Sequence, residues 1–453
     1  MTVAHVQTNA QTIAGGGKHS LAVCSNNTAM AWGYNGFGQL GNGTNTDSNV
    51  PVPISSLTSI TAIAAGWYHS LAIIDDGTVR DWGYNISGQL GNGTNTNSNI
   101  PVPVSSLTNI TAIAGGQYHS LALKNNGTVW AWGFNYDGEL GNGNNINSNI
   151  PVQVSALSEV IAIAAAIGGN HSLALKNDGT VWAWGANNYG ELGNGTNINS
   201  NVPVQVSALA GVIAIAAGGK YSLALKNDGT VWAWGGNGNG TLGNGTNTDS
   251  SVPIPVSSLT GIIAIAGGGY HSLALKNDGT VWAWGANLEG ELGNGANTDS
   301  NVPVPVNSLT TVIAIAGGYW HSLALKNDST MRAWGENSSG NLGNGTTTNS
   351  NIPVQVTGLC HVLNAVDEIT EPLSVSVFPN PFSASTTLQT TENLKNASLT
   401  VYNSFGQQVK HLNNLSGQTI ILQRDNLPIG LYFIRLTEDN KIFSVDKLVI
   451  VDN

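Results

Sequence analysis

Charged side chains are scarce in this chain of 453 residues, at 9% of the sequence, where an average soluble protein carries roughly 25%. Asn, Ser, Thr and Gly must therefore supply most of the surface. Basic residues are the minority, with nine against seventeen acidic residues up to Cys360 and a net charge of −11 overall. No basic stripe exists to neutralise phosphates, which argues against nucleic acid and anionic membrane surfaces as partners.

Long apolar runs are also missing. No stretch of about 18 apolar residues occurs, so no transmembrane segment is expected. Residues 1–17 have neither the basic start nor the apolar stretch of a signal peptide. The chain has two cysteines, which are too few for a disulfide framework.

What the chain has instead is a repeat. The segment HSLALKNDGTVWAWG at 171–185 occurs again at 271–285, and at 221–235 with Tyr221 in place of histidine. Degraded copies start at His19, His69, His119 and His321. The starts are 50 residues apart, except that the fourth repeat carries two extra residues before His171. A period of this length indicates a solenoid, a propeller or an array.

Each repeat has the pattern of four short strands. In the fourth repeat, 160–166 is a continuous apolar run, typical of a strand buried on both faces. Residues 172–176 and 180–185 flank an Asn-Asp-Gly turn, a strong hairpin signal. After a long Gly/Asn loop, 202–206 contains proline, which marks an edge strand. Three inner strands and one proline-marked outer strand are typical of a propeller blade.

One blade cannot bury both of its apolar faces, but seven blades in a ring can, because each sheet packs on the next. The predicted fold class is all-β: a seven-bladed β-propeller of four-stranded antiparallel blades, with an open solenoid as the alternative. The last tryptophan of each third strand is expected in the layers between blades. These residues are Trp32, Trp82, Trp132, Trp184, Trp234, Trp284 and Trp334.

The motif A-x-G-G-x-x-H-S-L-A-L-x-x-D-G-x-V-x-x-W-G-x-N-x-x-G-x-L-G-N-G resembles the repeat of the regulator of chromosome condensation family, seven times over residues 11–359. The resemblance implies a closed ring, and we expect the last strand, 351–356, to join the first blade. Cys24 ends the second strand of the first blade, and Cys360 follows the closing strand. Two unrelated buried thiols and a disulfide clasp across the closure both remain open. A Cα separation well above about 7 Å would exclude the clasp.

Beyond the propeller domain, 1–360, the repeats stop. Residues 361–373 are expected to form a linker, and 374–453 carry the alternating strand patterns of a small antiparallel β-sandwich. This part resembles the C-terminal sorting domain of the bacterial type IX secretion system. The matching residues are Phe378-Pro379-Asn380-Pro381, Val401-Tyr402-Asn403 with Gly406-Gln407, and Gly430-x-Tyr432-x-x-Arg435.

The second resemblance implies export by a Bacteroidetes-type bacterium. The expected location is extracellular or on the outer cell surface, and the secretion machinery is then one partner. A missing signal peptide conflicts with export, and an incomplete or misplaced start reconciles the two.

Histidine occupies one repeat position six times, and Tyr221 fills the seventh: His19, His69, His119, His171, His271 and His321. Equivalent positions on separate blades lie too far apart to share a metal ion. We therefore expect structural imidazoles that bond to backbone within their own blades. Serine follows each histidine, but neighbours on a strand point to opposite faces and form no nucleophile–base pair. The chain is expected to be no enzyme and to hold no metal or cofactor.

Acidic residues in the long loops are the remaining candidates for chemistry. The Gly/Asn loops suggest calcium ligands, but their acidic positions become Asn in other copies, which favours plain turns: Asp47, Asp249 and Asp299. Two carboxylate pairs are expected to be solvated loop charges: Asp137 with Glu139, and Glu289 with Glu291.

Two turn positions vary while their surroundings stay constant. One precedes His-Ser, and the other follows Trp-Gly-x-Asn; in an antiparallel blade both emerge at the same end of the ring. Aromatic residues at these positions form the predicted aromatic face: Trp67, Tyr68, Tyr118, Tyr270, Tyr319, Trp320, Phe37, Tyr136 and Tyr189. Aromatic residues on loops of a rigid framework are typical of a binding surface. Neutral drift, the alternative, does not favour Trp and Tyr at exposed turns.

The expected function is a monomeric binding module that engages a macromolecule through this face. A glycan is a variant of a protein ligand, because aromatic rings also stack on sugars. The enzyme alternative, a propeller-type lyase or hydrolase, requires a polar, pKa-shifted cluster at the channel mouth. Guanine nucleotide exchange, which the family name suggests, fits poorly with an acidic chain and a bacterial export domain.

Overall fold

The computed structural model describes residues 12–362, 376–403, 408–438 and 441–452. The chain divides into two compact units, Met1–Asn364 and Ala365–Asn453. No helix in the described part is long and apolar enough to cross a membrane.

The first unit consists of seven four-stranded antiparallel sheets, each with its strands in chain order. The inner strands are Ile13–Gly15, Ile60–Ala65, Ile110–Gly115, Val160–Ala165, Val212–Ala217, Ile262–Gly267 and Val312–Gly317. The second strands are His19–Val23, His69–Ile74, His119–Lys124, His171–Lys176, Tyr221–Lys226, His271–Lys276 and His321–Lys326. The third strands are Ala29–Gly33, Val79–Gly83, Val129–Gly133, Val181–Gly185, Val231–Gly235, Val281–Gly285 and Met331–Gly335. The outer strands are Ser48–Pro53, Ser98–Pro103, Ser148–Gln153, Ser200–Gln205, Ser250–Pro255, Ser300–Pro305 and Ser350–Gln355.

The inner strands of neighbouring blades contact each other, and the first contacts the seventh, so the sheets form a closed seven-bladed propeller. The prediction of fold class is confirmed. Turns that precede the second and fourth strands lie at one end of the ring, here called the variable end. The turns between the second and third strands lie at the other, here called the hairpin end.

Strand alternation places the two faces of each blade in different cores. Trp184 packs with Leu121 and Leu123 of the preceding blade, whereas Val181 and Ala183 pack toward the following blade. Each of the seven last tryptophans is fully buried. The tryptophans therefore lie between blades, as expected.

Every one of these indoles also bonds across the blade boundary. Trp184 Nε1 donates to Glu139 O of the preceding blade at 2.8 Å, and Trp32 Nε1 donates to Asn341 O at 2.8 Å. The second of these bonds joins the first blade to the seventh. The ring is thus closed by the same interaction that joins every other pair of blades.

The predicted route of closure is wrong. The last strand, Ser350–Gln355, pairs with Met331–Gly335 inside the seventh blade and does not join the first. An outer strand already has its hydrogen-bonding partner within its own repeat. The short strand of the first blade is its inner strand, which spans only Ile13–Gly15.

Val362 supplies the missing start of that inner strand. It forms an antiparallel bridge with Cys24, as Ile60 pairs with Ile74 in the second blade. The inner strand of the first blade is therefore shared between the two ends of the propeller. Closure depends on the residues after the last outer strand.

A disulfide joins Cys24 to Cys360 at this point, with a Cα separation of 5.7 Å. The two cysteines are therefore not unrelated thiols: they form the disulfide across the ring closure. Next to it, Ser25 N donates to His361 O at 2.8 Å. Residues 361 and 362 therefore belong to the propeller, and a linker starting at 361 is placed two residues too early. The rest of that linker, 363–373, lies outside the described residues.

The second unit is all-β, with strands Ser376–Phe378, Ser385–Asn403, Gln408–Gln423, Gly430–Glu438 and Lys441–Ile450. The second strand pairs with the first, third and fourth, and register shifts interrupt it. A bridge between Phe382 and Ile450 joins distant parts of the sheet. One core includes Leu388, Leu399 and Ile434. The small antiparallel β-sandwich predicted for 374–453 is an antiparallel β domain whose described strands form one five-stranded sheet.

Candidate functional site

The repeat histidines bond between blades, so the expectation of backbone partners within each blade is wrong. His19 Nε2 lies 2.9 Å from Ser70 Oγ of the next blade. The same contact recurs for His69, His119, His171, His271 and His321, at 2.8–3.0 Å. Tyr221 takes the seventh place, where its hydroxyl donates to His271 O. The conserved position therefore holds each blade to its neighbour.

The serine of each contact cannot act as a nucleophile activated by histidine. Ser70 Oγ donates its proton to Gln39 O at 2.8 Å. The same oxygen therefore accepts a hydrogen bond from His19 Nε2–H. A general base would have to accept that proton instead. Burial lowers the pKa of His19, His69, His119 and His271 to about 3 and of His171 and His321 to about 4. The imidazoles are neutral structural donors at physiological pH.

The Gly/Asn loops are tied by asparagine side chains. Asn35 Nδ2 donates to Thr44 O and Thr46 O, at 3.1 and 3.0 Å. Asn35 N donates to Asp47 Oδ1 at 2.7 Å, and Asn97 accepts the same bond in the second blade. One side-chain oxygen suffices there, which explains why Asp and Asn interchange. Among the described residues no group of three or more metal-ligating side chains exists.

Two acids predicted to be solvated are buried. Glu139 and Glu291 are both 0% exposed, and each accepts a bond from the backbone N two residues before it. Gln39 occupies the same place in the first blade and accepts the same bond. Burial raises the pKa of Glu139 to about 8 and that of Glu291 to about 7. These carboxyl groups serve as buried hydrogen-bond acceptors inside the loop.

The variable end carries a continuous cluster of aromatic rings. Trp67 stacks on Tyr68, Tyr118 and Tyr319, with centroid distances of 5.5, 5.8 and 5.1 Å. Edge and tilted contacts link most of the remaining members, and Tyr136 stacks on Phe134. The aromatic cluster comprises Tyr34, Phe37, Trp67, Tyr68, Tyr84, Tyr118, Phe134, Tyr136, Tyr270, Tyr319 and Trp320.

This cluster covers the channel mouth. Trp67 in the second blade meets Tyr319 in the seventh, above Gly17 of the first. A Cβ at Gly17 would lie 1.9 Å from Trp67 Cδ1, so only glycine fits beneath the indole. On the far side, Gly168 in the longer turn of the fourth blade packs against the Tyr319 ring. The surface is a platform with aromatic rings over the axis.

Sequence reasoning found most of this cluster and missed three members. Tyr34, Tyr84 and Phe134 directly follow Trp-Gly, one residue before the asparagine that anchors the loop. The signal was available, because other repeats have Ala, Gly or Glu there. Tyr189, in contrast, was predicted on the face but lies outside the cluster. Its ring instead contacts Lys220, whose Nζ lies 4.4 Å from the centroid.

Comparisons with known proteins agree with this architecture. The sequence profile of the regulator of chromosome condensation (RCC1) repeat matches 29–73 and 76–123, and a second profile of that repeat matches 11–39, 60–89 and 110–139. The profile of the RCC1-like domain matches 148–369. The profile of a secretion system C-terminal sorting domain matches 376–451. No curated protein sequence matches the chain.

Solved structures share the propeller. Human WBSCR16 is 26% identical with a TM-score of 0.66, covering 73% of this chain and 94% of its own. Yeast RCC1 (Prp20), solved bound to Kap60, is 21% identical with a TM-score of 0.66, covering 83% and 88%. Prp20p from Saccharomyces cerevisiae, described with its binding properties to Gsp1p and histones, is 22% identical with a TM-score of 0.65, covering 81% and 88%.

The repeats, the topology of the blades and the C-terminal domain agree with these matches. The chain therefore belongs to the regulator of chromosome condensation repeat family, as a seven-bladed propeller followed by a type IX secretion C-terminal sorting domain.

Proposed function

We propose that this protein is an exported binding module that takes a macromolecular ligand, protein or glycan, on its aromatic cluster. The observation that carries the proposal is the continuity of eleven aromatic rings at one end of the propeller. Half-buried Trp and Tyr anchored on a rigid scaffold are the residues that dominate binding energy at interfaces. The sorting domain supports export to the cell surface or the extracellular space.

The proposal is for binding without catalysis. Serine hydroxyls in the ring of inter-blade contacts donate to main-chain carbonyls, and the imidazoles beside them are fully buried. Glu139 and Glu291 lie beneath the loops and accept backbone bonds. Guanine nucleotide exchange on a small GTPase is not proposed, because the 21–22% identity to the yeast RCC1 structures shows the fold alone. A monomeric state is part of the proposal, and light scattering on the purified chain tests it.

A matched pair of variants tests the aromatic cluster. Trp67→Ala/Trp320→Ala removes two half-buried indoles at the variable end. Trp182→Ala/Trp232→Ala removes two half-buried indoles from third strands near the hairpin end and serves as the control. Thermal melting of both variants establishes that each remains folded.

Wild type and variants are immobilised, then exposed to a glycan array and to extracellular fluid with quantitative mass spectrometry of retained proteins. We expect retention by the wild type and the control, and loss of at least tenfold for the variable-end variant. Equal retention by all three would refute the proposal. A loss of retention on the glycan array indicates a glycan ligand, whereas a loss of proteins retained from extracellular fluid indicates a protein ligand.

A further inference from the structure

The two ends of the propeller differ in charge. At the hairpin end, seven basic residues face seven acidic ones: Arg80, Lys124, Lys176, Lys226, Lys276, Lys326 and Arg332, with Asp75, Asp76, Glu159, Asp178, Asp228, Asp278 and Asp328. At the variable end, the connections between third and fourth strands hold nine acids: Asp47, Asp137, Glu139, Glu191, Asp249, Glu289, Glu291, Asp299 and Glu336. The two basic residues there are Lys18 and Lys220. Acidic residues are therefore in excess at the end that carries the aromatic cluster.

Five of these nine acids are accessible to a ligand. The other four are buried, at 5% exposure or less: Glu139, Glu191, Glu291 and Glu336. The accessible five are exposed or half-buried: Asp47, Asp137, Asp249, Glu289 and Asp299. Each accepts a hydrogen bond from an uncharged N–H group, and none forms an ion pair within the described part of the propeller. Their negative charges therefore remain uncompensated.

Both lysines at this end already have partners. Lys18 Nζ lies 3.3 Å from Glu336 Oε1. Lys220 Nζ donates to Tyr189 Oη at 3.2 Å, and the lysine also interacts electrostatically with Glu191. The partners of both ammonium groups include buried acids, so neither lysine offsets the five accessible carboxylates.

Two accessible carboxylates adjoin the aromatic cluster directly. Asp47 Oδ1 accepts from the backbone N of Asn35 at 2.7 Å, and Asn35 directly follows Tyr34 of the cluster. Asp137 directly follows Tyr136, which is the most exposed ring of the cluster at 75%. Negative charge therefore lies beside the rings on the first and third blades.

Lysine ammonium groups lie over aromatic rings elsewhere in this protein. Lys124, Lys226 and Lys276 pair in this way with tryptophans of third strands, and Lys220 pairs with Tyr189, at 4.4–5.8 Å from the ring centroids. None of the contacts of this kind between described residues involves a ring of the aromatic cluster. The cluster thus combines rings that hold no cation of the protein with neighbouring negative charge.

We infer that the ligand of the aromatic cluster is a cationic segment of a protein, with arginine or lysine side chains against the rings and near the five accessible carboxylates. This assignment rests on the proposed function, since it names the ligand class of the same surface. A cation over a Trp or Tyr face is attracted by the ring quadrupole, and the planar guanidinium of arginine also stacks on such faces. Opposite charge on the two partners speeds their association and disfavours acidic competitors.

The chain offers two variants that are matched in chemistry and in net charge. Asp47→Asn/Asp249→Asn/Asp299→Asn removes three charges at the variable end, where four other blades already have asparagine at the same position. Asp178→Asn/Asp228→Asn/Asp278→Asn removes three charges at the hairpin end, where the first and third blades already have asparagine. Thermal melting establishes that both variants fold.

The probe is an oligo-arginine peptide, and its control is oligo-citrulline, which has a similar shape without the charge. Binding to the full-length protein is measured by surface plasmon resonance at low and physiological ionic strength. We expect oligo-arginine to bind the wild type at least about tenfold more tightly than oligo-citrulline. The variable-end aspartate variant and Trp67→Ala/Trp320→Ala should each weaken oligo-arginine binding about tenfold, whereas the hairpin-end variant stays within about twofold of the wild type.

Three results would overturn the inference. An equal loss in both aspartate variants would show non-specific attraction of a polycation to an acidic chain. Oligo-citrulline binding as tight as that of oligo-arginine would show that charge is not recognised. Unchanged oligo-arginine binding by the variable-end aspartate variant would show that these carboxylates do not contribute.

The outcome is separable from that of the proposed function. If Trp67→Ala/Trp320→Ala abolishes retention in the capture assay while the variable-end aspartate variant binds oligo-arginine like the wild type, the cluster binds a ligand and the cationic class is wrong. If the aspartate variant loses oligo-arginine binding while the tryptophan variant keeps both retention and oligo-arginine binding, the cationic class stands and the cluster proposal fails.

Discussion

Replacing the buried acids by amides should make the propeller more stable at alkaline pH. Glu139 and Glu291 stand where the first two blades have Gln39 and Gln89, which accept the same backbone bond. The second carboxyl oxygen, Oε1, of both acids is buried without a hydrogen-bond partner in the described part of the chain. Ionisation would therefore place an uncompensated charge between loops.

The sign of the effect follows from the pKa values. Burial raises the pKa of Glu139 to about 8 and of Glu291 to about 7 from 4.5. Well below pH 4.5 both carboxyl groups are protonated in either state, and their contribution to stability is fully present. As pH rises toward 8, the unfolded chain releases protons that the folded chain retains, so stability falls by up to about 1.4 kcal/mol per pH unit and group. Between pH 5.5 and 8 the two buried acids together lower the free energy of unfolding by about 3–5 kcal/mol.

Urea melts at pH 5.5, 7 and 8 measure this slope. Glu139→Gln/Glu291→Gln should have a higher free energy of unfolding than the wild type at all three pH values, and this excess should grow by about 3–5 kcal/mol from pH 5.5 to pH 8. Glu159→Gln changes an exposed carboxylate and should leave the slope unchanged. The histidines contribute equally to all three proteins and cancel in the difference. A double variant whose pH slope equals that of the wild type would refute the raised pKa values of the two buried acids.

Three further predictions concern the framework. Cys24→Ser/Cys360→Ser should lower the free energy of unfolding by about 5 kcal/mol, because the disulfide closes a loop of 336 residues; denaturant melts with and without reductant check it, and an identical midpoint contradicts it. Trp184→Ala should cost about 3–5 kcal/mol, since it empties a fully buried site and removes the bond to Glu139 O; a loss under 1 kcal/mol would show that the site collapses. Tyr221→His should complete the ring of inter-blade histidines, with its Nε2–H donating to Ser272. ¹⁵N NMR should then show a seventh imidazole that does not titrate between pH 8 and 5. If the new imidazole titrates in this range, it lies outside the interface between blades.

The repeat period and strand alternation were sufficient to predict the blades. A 50-residue period with an apolar run, a hairpin turn and a proline-marked strand leaves few alternatives to a propeller. Trp184 alternates with Ala183, so one faces the preceding blade and the other the following one. These features depend on local geometry, which the sequence of one repeat contains.

Contacts between repeats could not be predicted in the same way. A period shows that His19 and His69 are equivalent but not that His19 meets Ser70, because the partner lies about one period away. The buried acids had a detectable signal: one position holds Glu in three blades and Gln in two, which indicates a shared acceptor. Closure through Val362 was missed because its segment follows the last outer strand, where the repeat pattern fades.

Departures from sevenfold symmetry lie mainly where folding does not require them. Every blade boundary has its buried indole, and each indole donates to a carbonyl of the preceding blade. Yet the variable end has aromatic rings over blades six, seven, one, two and three, and glycines with Lys220 on blade five. Packing between blades gains little from this asymmetry, because Tyr136 is 75% exposed and Trp67 only half-buried. An uneven surface on an even framework is the arrangement expected when one end of the ring recognises a ligand that lacks sevenfold symmetry.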